Sequence, residues 1–340
     1  MSGKKVAVVI LGWNGKKYME QFMPSVMQYT DTTLCEIVIA DNMSNDGSVE
    51  WVRQNYPTVT LIQNTRNGGY AGGYNDALKH VNAEYYVLLN QDIEVTDGWV
   101  EKVIAEMEKD SNIAAAQPKL RSYYQPTHFE YAGASGGYMD FLVYAFCRGR
   151  IFDTLEKDEA QYDDVIDIFW ATGACLFIRS KDYWAAGALD EDFFAHQEEV
   201  DLCWRLKSLG KRNIVVPQSV VYHVGGGSLP QGNPRKTYLN FRNSLMMMFK
   251  NLPLSTLLWL LPFRMLLDEV AAIHSVQKDG NWNSFKAVHK ATWHFVKAIP
   301  SLIEKRKAVP YKSYKYLYSK SVMWQYFIRG SKTYSSIVKG

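Results

Sequence analysis

Four short runs rich in β-branched and aromatic residues, Val6–Leu11, Glu36–Ala40, Val59–Ile62 and Tyr85–Leu89, recur through the first hundred positions with amphipathic stretches between them. This rhythm constrains the chain to a parallel sheet, because parallel neighbours can be joined only by a crossover long enough to hold a helix. Gly15–Tyr29 sets Tyr18, Met19, Phe22, Met23 and Val26 at helical spacing, and Val100–Met107 does the same after the fourth run. Polar clusters follow three of the strands: Gly12-Trp13-Asn14, Asp41-Asn42-Met43-Ser44 and Asn90-Gln91-Asp92. Parallel strands present their carboxyl ends on one rim, where ligands bind, so topology alone predicts that these distant clusters share an edge.

Each cluster has a chemical reading and a plain one. Asp41 at a strand end can accept hydrogen bonds from a pyrimidine N–H or a ribose hydroxyl, yet Asp, Asn, Ser and Gly are also ordinary turn formers, and Asp46-Gly47-Ser48 can simply start a helix. In Asn67-Gly68-Gly69-Tyr70-Ala71-Gly72-Gly73-Tyr74-Asn75 four glycines are expected to precede a helix whose amino-terminal amides suit a diphosphate. A tight turn without a ligand fits the same residues. Asp92 can hold a hard divalent ion such as Mg²⁺, which takes one or two carboxylates together with phosphate oxygens; it can equally cap the next helix.

A second informative stretch begins at Asp167. Trp170-Ala171-Thr172-Gly173-Ala174 leads through a glycine turn into the buried-strand pattern Cys175–Arg179, and a helix with Leu202, Leu206 and Leu209 on one face runs to Gly210, a natural stop. Glu198, Glu199 and Asp201 fall in its first turn. The helix dipole alone favours carboxylates there by ~0.3–1 kcal/mol each. Two of them ~5 Å apart also repel, by about 3 kcal/mol at an effective dielectric near 20. That repulsion raises a pKa, as a general base for a sugar hydroxyl requires.

The chain resembles a family 2 glycosyltransferase with the two-lobed nucleotide-diphospho-sugar transferase fold, in its rhamnosyltransferase-like branch. The resemblance covers roughly residues 5–250. It rests on the ordered set Val8–Gly15, Asp41–Ser48, Asn67–Leu78, Leu89–Asp92, Gly173-Ala174, Glu198–Asp201 and His223-Val224-Gly225-Gly226-Gly227-Ser228. It implies a GT-A type, doubly wound, mostly parallel sheet flanked by helices. It also implies Asp41 on the donor base, Asp92 as the acid of a DxD-type motif holding Mg²⁺ or Mn²⁺, and Glu199 as the base, with Asn14, Asn67, Gly68, Asn75, Asn90 and Arg242 on the donor. The chain departs from the family pattern twice: Asn90 stands where many members carry the first acid, and Glu199 where many carry aspartate. The added methylene leaves Glu198 and Asp201 open as the base. His223 can ligate the metal or bind a phosphate, and Arg235, Lys236 and Arg242 can clamp the diphosphate or form a basic surface patch.

The expected reaction is in-line displacement at the anomeric carbon, with inversion, from a nucleotide-diphosphate donor to a glycan or polyprenyl-diphosphate-linked glycan. Rhamnose is the first guess for the sugar, from the resemblance. A sugar nucleotidyltransferase is the main rival, but its glycine-rich, arginine-bearing signature is missing where Gly12-Trp13-Asn14-Gly15 stands. A silent membrane-binding or carbohydrate-binding scaffold is the other.

The domain plan is a catalytic unit over 1–250, donor-binding over about 1–120 and acceptor-binding over about 121–250, with a helical extension over 251–340. Its 340 residues and 47% hydrophobic content suffice for a large core. Residues 252–340 hold 14 Lys/Arg against 4 Asp/Glu, whereas residues 1–251 hold 24 against 31, and an acidic body argues against nucleic acid as a ligand. Leu252–Leu267 is apolar but interrupted by Pro253, Pro262 and Arg264, too short to cross a bilayer. Phe285–Ile299 and the basic, aromatic Tyr311–Tyr334 are expected to meet an anionic membrane face; packing on the body or on a second subunit in an oligomer is the alternative. Four dispersed cysteines form no zinc or disulfide pattern, and Met1–Leu11 contains no signal-peptide core, so the expected location is cytoplasmic, at the inner face of the membrane.

Overall fold

The computed structural model describes residues 3–225, 233–309, 312 and 316–338. In chain order the first half runs β1 (Val6–Gly12), α1 (Lys16–Tyr29), β2 (Cys35–Asp41), α2 (Ser48–Asn55), β3 (Thr60–Gln63), α3 (Gly69–Leu78), β4 (Tyr85–Asn90), β5 (Ile93–Val95), α4 (Trp99–Glu108) and β6 (Ile113–Ser122). Four short strands follow, β7 (Gly137–Met139), β8 (Ala145–Cys147), β9 (Arg150–Ile151) and β10 (Thr154–Leu155), and pair as a small antiparallel sheet. The rest comprises β11 (Ile166–Ile168), β12 (Cys175–Arg179), α5 (Ser180–Ala185), α6 (Glu198–Ser208), β13 (Arg212–His223), α7 (Pro234–Asn251), α8 (Leu254–Asp279), α9 (Trp282–Ala308) and α10 (Tyr334–Val338).

The central sheet has the order β11-β13-β6-β12-β4-β1-β2-β3, with β5 added against β13. β3, β2, β1 and β4 are mutually parallel, as the alternation predicts. β12 runs antiparallel between β4 and β6, and β13 runs parallel to β6, so the sheet is mixed and the carboxyl ends of β4, β6 and β13 all reach one rim. Apolar runs are continuous along the central strands because both faces are covered. Val6, Val8 and Ile10 pack with α1 and α4 residues such as Met19 and Val103, and Ala7 and Val9 pack with Ala71 and Tyr74 of α3. The four cysteines are buried and unpaired among the described residues.

β13 is one strand through Val216 and Val220, with a register shift between them. Two sequence expectations shift. Helix α3 starts at Gly69, so Gly72 and Gly73 lie inside it rather than before it. A Cβ on Gly73 would stand 2.9 Å from the Leu11 methyls and 3.0 Å from Asn42 Cγ, so the glycine there lets the helix close on β1 and the β2 loop. Finally, the apolar side of Phe285–Ile299 serves packing: Val288 and Phe295 are buried, and Phe295 meets Phe249 of α7 edge-on. Lys305 of α9 pairs with Asp190, and with Asp192 at 2.6 Å, fastening the extension to the body.

Candidate functional site

In the register, Asp41 stands opposite Gly12, and Leu11 opposite Asn90. Asp41 and Asn90 therefore end strands two apart, roughly 10 Å between their backbones. Asn14 stitches the first two clusters together. It adopts a left-handed backbone at φ 47°, donates its N–H to Ser44 Oγ at 3.0 Å, and accepts the Asn45 N–H at 2.9 Å. Asp41 is nearly buried and accepts the Ser44 N–H on both oxygens at 3.2–3.3 Å. Asn67 and Gly68 are tied to Asn42, whose amide donates to Asn67 Oδ1 at 3.0 Å and whose Oδ1 accepts the Gly68 N–H at 3.3 Å.

The expected diphosphate cradle at the start of α3 is not formed by its amides. Tyr70 and Ala71 N–H both donate to the Phe194 carbonyl, at 2.7 and 3.2 Å, Gly69 N–H donates to Asn67 Oδ1 at 2.9 Å, and Gly72 N–H to the Gly68 carbonyl at 3.2 Å. The donors of the first turn are taken by protein. Asn75 likewise turns inward: its amide donates to the Leu189 carbonyl at 2.8 Å, and its Oδ1 accepts the Tyr183 hydroxyl at 2.6 Å. Arg242 is occupied too, donating to the carbonyls of Asp192 and Phe193 at 2.7 and 3.0 Å. With Asn243, which donates to the carbonyls of Phe193, Ala195 and His196, it holds a loop in which Phe194, His196 and Gln197 all have positive φ. That strained loop aims the first turn of α6. The other two basic candidates flank it: Arg235 lies over the Phe194 ring, 4.9 Å from its centre, and the charge of Lys236 is felt by both Glu130 and His196.

Beyond β4, Asp92 meets His223 at the end of β13, with Oδ1 3.2 Å from Nε2. Burial pushes the Asp92 carboxyl up, but the imidazolium outweighs it and holds the group below its usual range. Burial likewise opposes the charge on His223, while Asp92 and Glu130 together hold its pKa up at about 10. Glu130 Oε1 lies 3.3 Å from His223 Nδ1, so the ring is set between two carboxylates. No motif flags Glu130, because it sits in the loop-rich 122–166 stretch. Gly226, Gly227 and Ser228 lie outside the described residues.

Among the described residues no group of three or more His, Cys, Asp or Glu side chains is arranged to hold a metal ion. Among the described residues a cation caged by protein alone therefore does not fit. Asp92 fits an ion whose remaining ligands are phosphate oxygens and waters, the usual habit of Mg²⁺, and His223 would join it only after giving up the proton that Asp92 and Glu130 hold on its ring.

Glu198, Glu199 and Asp201 part company in α6. Asp201 is fully buried and bound by Arg205 and Lys250, each at 2.9 Å, and by the Asn251 amide at 2.8 Å. Burial would raise its carboxyl, but the two cations keep it below the ordinary range, and it serves as the anchor of α7 on α6. Burial pushes both Glu198 and Glu199 upward, and Glu198 is raised further by its neighbour. Oε2 of each is buried without a hydrogen-bond partner among the described residues. Orphaned carboxylate oxygens of this kind are rare in folded proteins. Glu198 is closed off, whereas Glu199 is half-buried and accepts the Gly173 N–H.

Gly173 joins the base candidate to the rest of the rim. Its carbonyl accepts the Tyr70 hydroxyl at 2.5 Å, and the next carbonyl, of Ala174, accepts the Asn90 N–H at 2.9 Å. A Cβ there would sit 2.9 Å from the Tyr70 hydroxyl and 3.5 Å from Glu199 Cδ, so glycine keeps the ground in front of Glu199 open. Asp41, Asn90, Asp92, His223 and Glu199 thus border one edge of the sheet. The rim offers a hydrogen-bond acceptor, a buried Asp92–His223 ion pair and a carboxylate with elevated proton affinity.

Residues 7–177 match the family model described as Glycosyl transferase family 2. An N-acetylglucosaminyl-diphospho-decaprenol L-rhamnosyltransferase of Mycobacterium tuberculosis is 24% identical over 231 residues, which are 64% of this chain and 75% of that protein. The rhamnosyltransferase WbbL of Escherichia coli is 23% identical over 231 residues, 64% of this chain and 83% of that one. Among solved structures, GalNAc-T7 with UDP, GalNAc and Mn²⁺ superposes with a TM-score of 0.58 at 15% identity, over 91% of this chain and 58% of that longer one, a likeness of fold.

Proposed function

This chain belongs to glycosyl transferase family 2, and from that premise we propose that it moves a sugar, rhamnose first among candidates, from a nucleotide-diphosphate donor to a polyprenyl-diphosphate-linked glycan, with inversion. The observation that carries the reading is the Glu199 carboxylate, whose Oε2 has no hydrogen-bond partner among the described residues, on the rim shared with Asp41 and the Asp92–His223 pair. The relatives support the choice of sugar and acceptor, being named as rhamnosyltransferases, one of them acting on a decaprenol-linked substrate.

In this reading Asp41 accepts hydrogen bonds from the donor base or ribose, and Asn14, Asn67 and Gly68 shape the loops around it by holding Ser44, Asn45 and Asn42. Asp92 would hold Mg²⁺ or Mn²⁺, with His223 as a further ligand once its proton is released, and the ion would supply positive charge against the departing diphosphate. Glu130 fixes the His223 ring. Glu199 takes the acceptor hydroxyl's proton as that oxygen attacks the anomeric carbon, and its raised pKa improves it as a base. Glu198, closed off beside it, bears the repulsion from Glu199 and does not reach the acceptor. Residues 1–120 bind the donor, 121–250 the acceptor, and 251–340 place the enzyme at the cytoplasmic face of the membrane where a polyprenyl-linked acceptor resides.

The test is incubation with nucleotide sugars and a polyprenyl-diphosphate-linked N-acetylglucosamine, followed by mass spectrometry of lipid product and released nucleotide. A transferase releases nucleoside diphosphate, and the signal disappears with EDTA. Release of pyrophosphate instead would identify a nucleotidyltransferase and overturn the assignment.

A further inference from the structure

We propose that α8 is an inside-out amphipathic helix whose outer face lies in the headgroup layer of an anionic bilayer. Its outward positions include Leu254, Leu258, Phe263, Leu266, Val270 and Ile273, with Leu258 70% and Leu266 60% exposed. From Leu258 to Ile273 their spacing keeps them on one half of the helix surface, over roughly 22 Å at about 1.5 Å per residue. None of these positions carries charge. Arg264 and Asp268 at the helix centre turn the other way, buried against the body and paired at 2.8 Å, while Glu269 beside the face pairs with His289 of α9 at 3.1 Å. Arg264 also donates to the carbonyls of Leu142 and Val143, at 3.3 and 3.0 Å.

A helix covering a protein core in water puts its apolar stripe inward and its charges outward. Helix α8 reverses that order, and a contiguous apolar face of this length marks a surface meant for a non-aqueous neighbour. The choice of a bilayer rests on what surrounds the face. Trp259 stands within it, and Trp282 and Trp293 are more than half exposed on α9, suiting the interfacial preference of tryptophan. Lys286, Lys290 and Lys297 are exposed on α9 in the same helical hairpin, and residues 252–340 carry a net charge of +10, which complements anionic headgroups. An apolar groove of about 400 Å³, lined by Leu254, Leu257, Leu258, Leu261, Ile303 and Arg306, opens off the same face.

No helix among the described residues is long and apolar enough to cross a membrane, so α8 lies in the plane of the interface. This assigns a membrane contact to α8, beyond Phe285–Ile299 and Tyr311–Tyr334 to which the sequence pattern pointed. It rests on the membrane reading above for its occupant and on none of the catalytic assignments.

The experiment compares the full chain with its Leu258→Glu/Leu266→Glu variant in flotation with vesicles of phosphatidylglycerol and phosphatidylcholine, and with phosphatidylcholine alone. The full chain should float with the anionic vesicles, more weakly with the neutral ones, and the variant should lose binding by about a hundredfold or more, since two leucines are withdrawn from lipid and replaced by charge. A thermal melt shows that the variant is folded. Transfer to a water-soluble acceptor analogue should be unchanged, and that readout judges the transferase reading separately. Equal flotation of the two proteins overturns the proposal. So does a vesicle-independent dimer that the variant converts to monomer, which would give the face to a second copy of the chain.

Discussion

Replacing Glu199 by Gln separates catalysis from stability, because the two should move in opposite directions. Glutamine keeps the shape of the side chain and can still accept the Gly173 N–H, but it cannot take a proton. A positioned general base contributes about 10²–10⁴ in rate, so turnover should fall by that range, equivalent to about 2.7–5.4 kcal/mol of barrier. Donor affinity should survive, since Asp41, Asp92 and His223 are untouched. Stability follows from burial, which raises the folded-state pKa of Glu199. A carboxyl raised in this way stabilises the fold fully below the ordinary glutamate range. That contribution is lost as pH rises through the elevated value, at about 1.4 kcal/mol for each pH unit by which the folded and unfolded values differ. The glutamine variant suffers no such loss and relieves the repulsion on Glu198. It should therefore melt at or above the wild type near pH 8, and the difference should close toward pH 4. Nucleoside-diphosphate release and thermal melts across that range measure both effects. Near-normal turnover, or a lower melting point at pH 8, would refute the assignment of Glu199 as an unpaired base.

The neighbouring acid should behave in the opposite manner: Asp201→Asn leaves Arg205 buried without a counter-charge and Lys250 with Asp190 alone, and should cost about 3–5 kcal/mol in denaturant unfolding, as for other broken buried pairs. Gly73→Ala forces a Cβ against Leu11 and Asn42 and should cost about 1–3 kcal/mol, read by thermal melting. EDTA should abolish transfer by the wild type and added Mn²⁺ or Mg²⁺ restore it, while Asp92→Asn should shift the metal titration to higher concentration. The pH profile of kcat/KM should fall on the acid side at a value above the ordinary glutamate range, the direction burial imposes on Glu199, and a limb at that ordinary range would count against it.

Much of the donor side was legible in the residues. The alternation of apolar runs and helical spacings, the turn chemistry after each strand and the rule that parallel carboxyl ends share a rim suffice to bring Asp41, Asn90 and Asp92 together. The acid cluster after the 190–197 loop and the helix stop at Gly210, whose φ is +79°, were legible for the same local reasons. Less visible was the division of labour among neighbours. Glycines at positions 72 and 73 look like a phosphate loop and turn out to be a packing surface, because a glycine needed for close approach reads the same whether a ligand or a strand approaches it. Asn75 and Arg242 look like donor contacts and instead hold backbone carbonyls.

Local pattern by itself determined the sheet, its ligand-bearing edge and the basic, aromatic character of the last ninety residues, since periodicity, turn propensity and charge are properties of neighbours along the chain. Tertiary structure decided which carboxylates are paired and which are free, that Glu130 stands behind His223, and that α8 turns its charges inward and its leucines out. Those outcomes depend on residues distant along the chain, such as Asp201 with Lys250, Glu130 with His223 or Leu142 with Arg264. The energy of a buried charge is set by what surrounds it in space, which no window along the sequence contains.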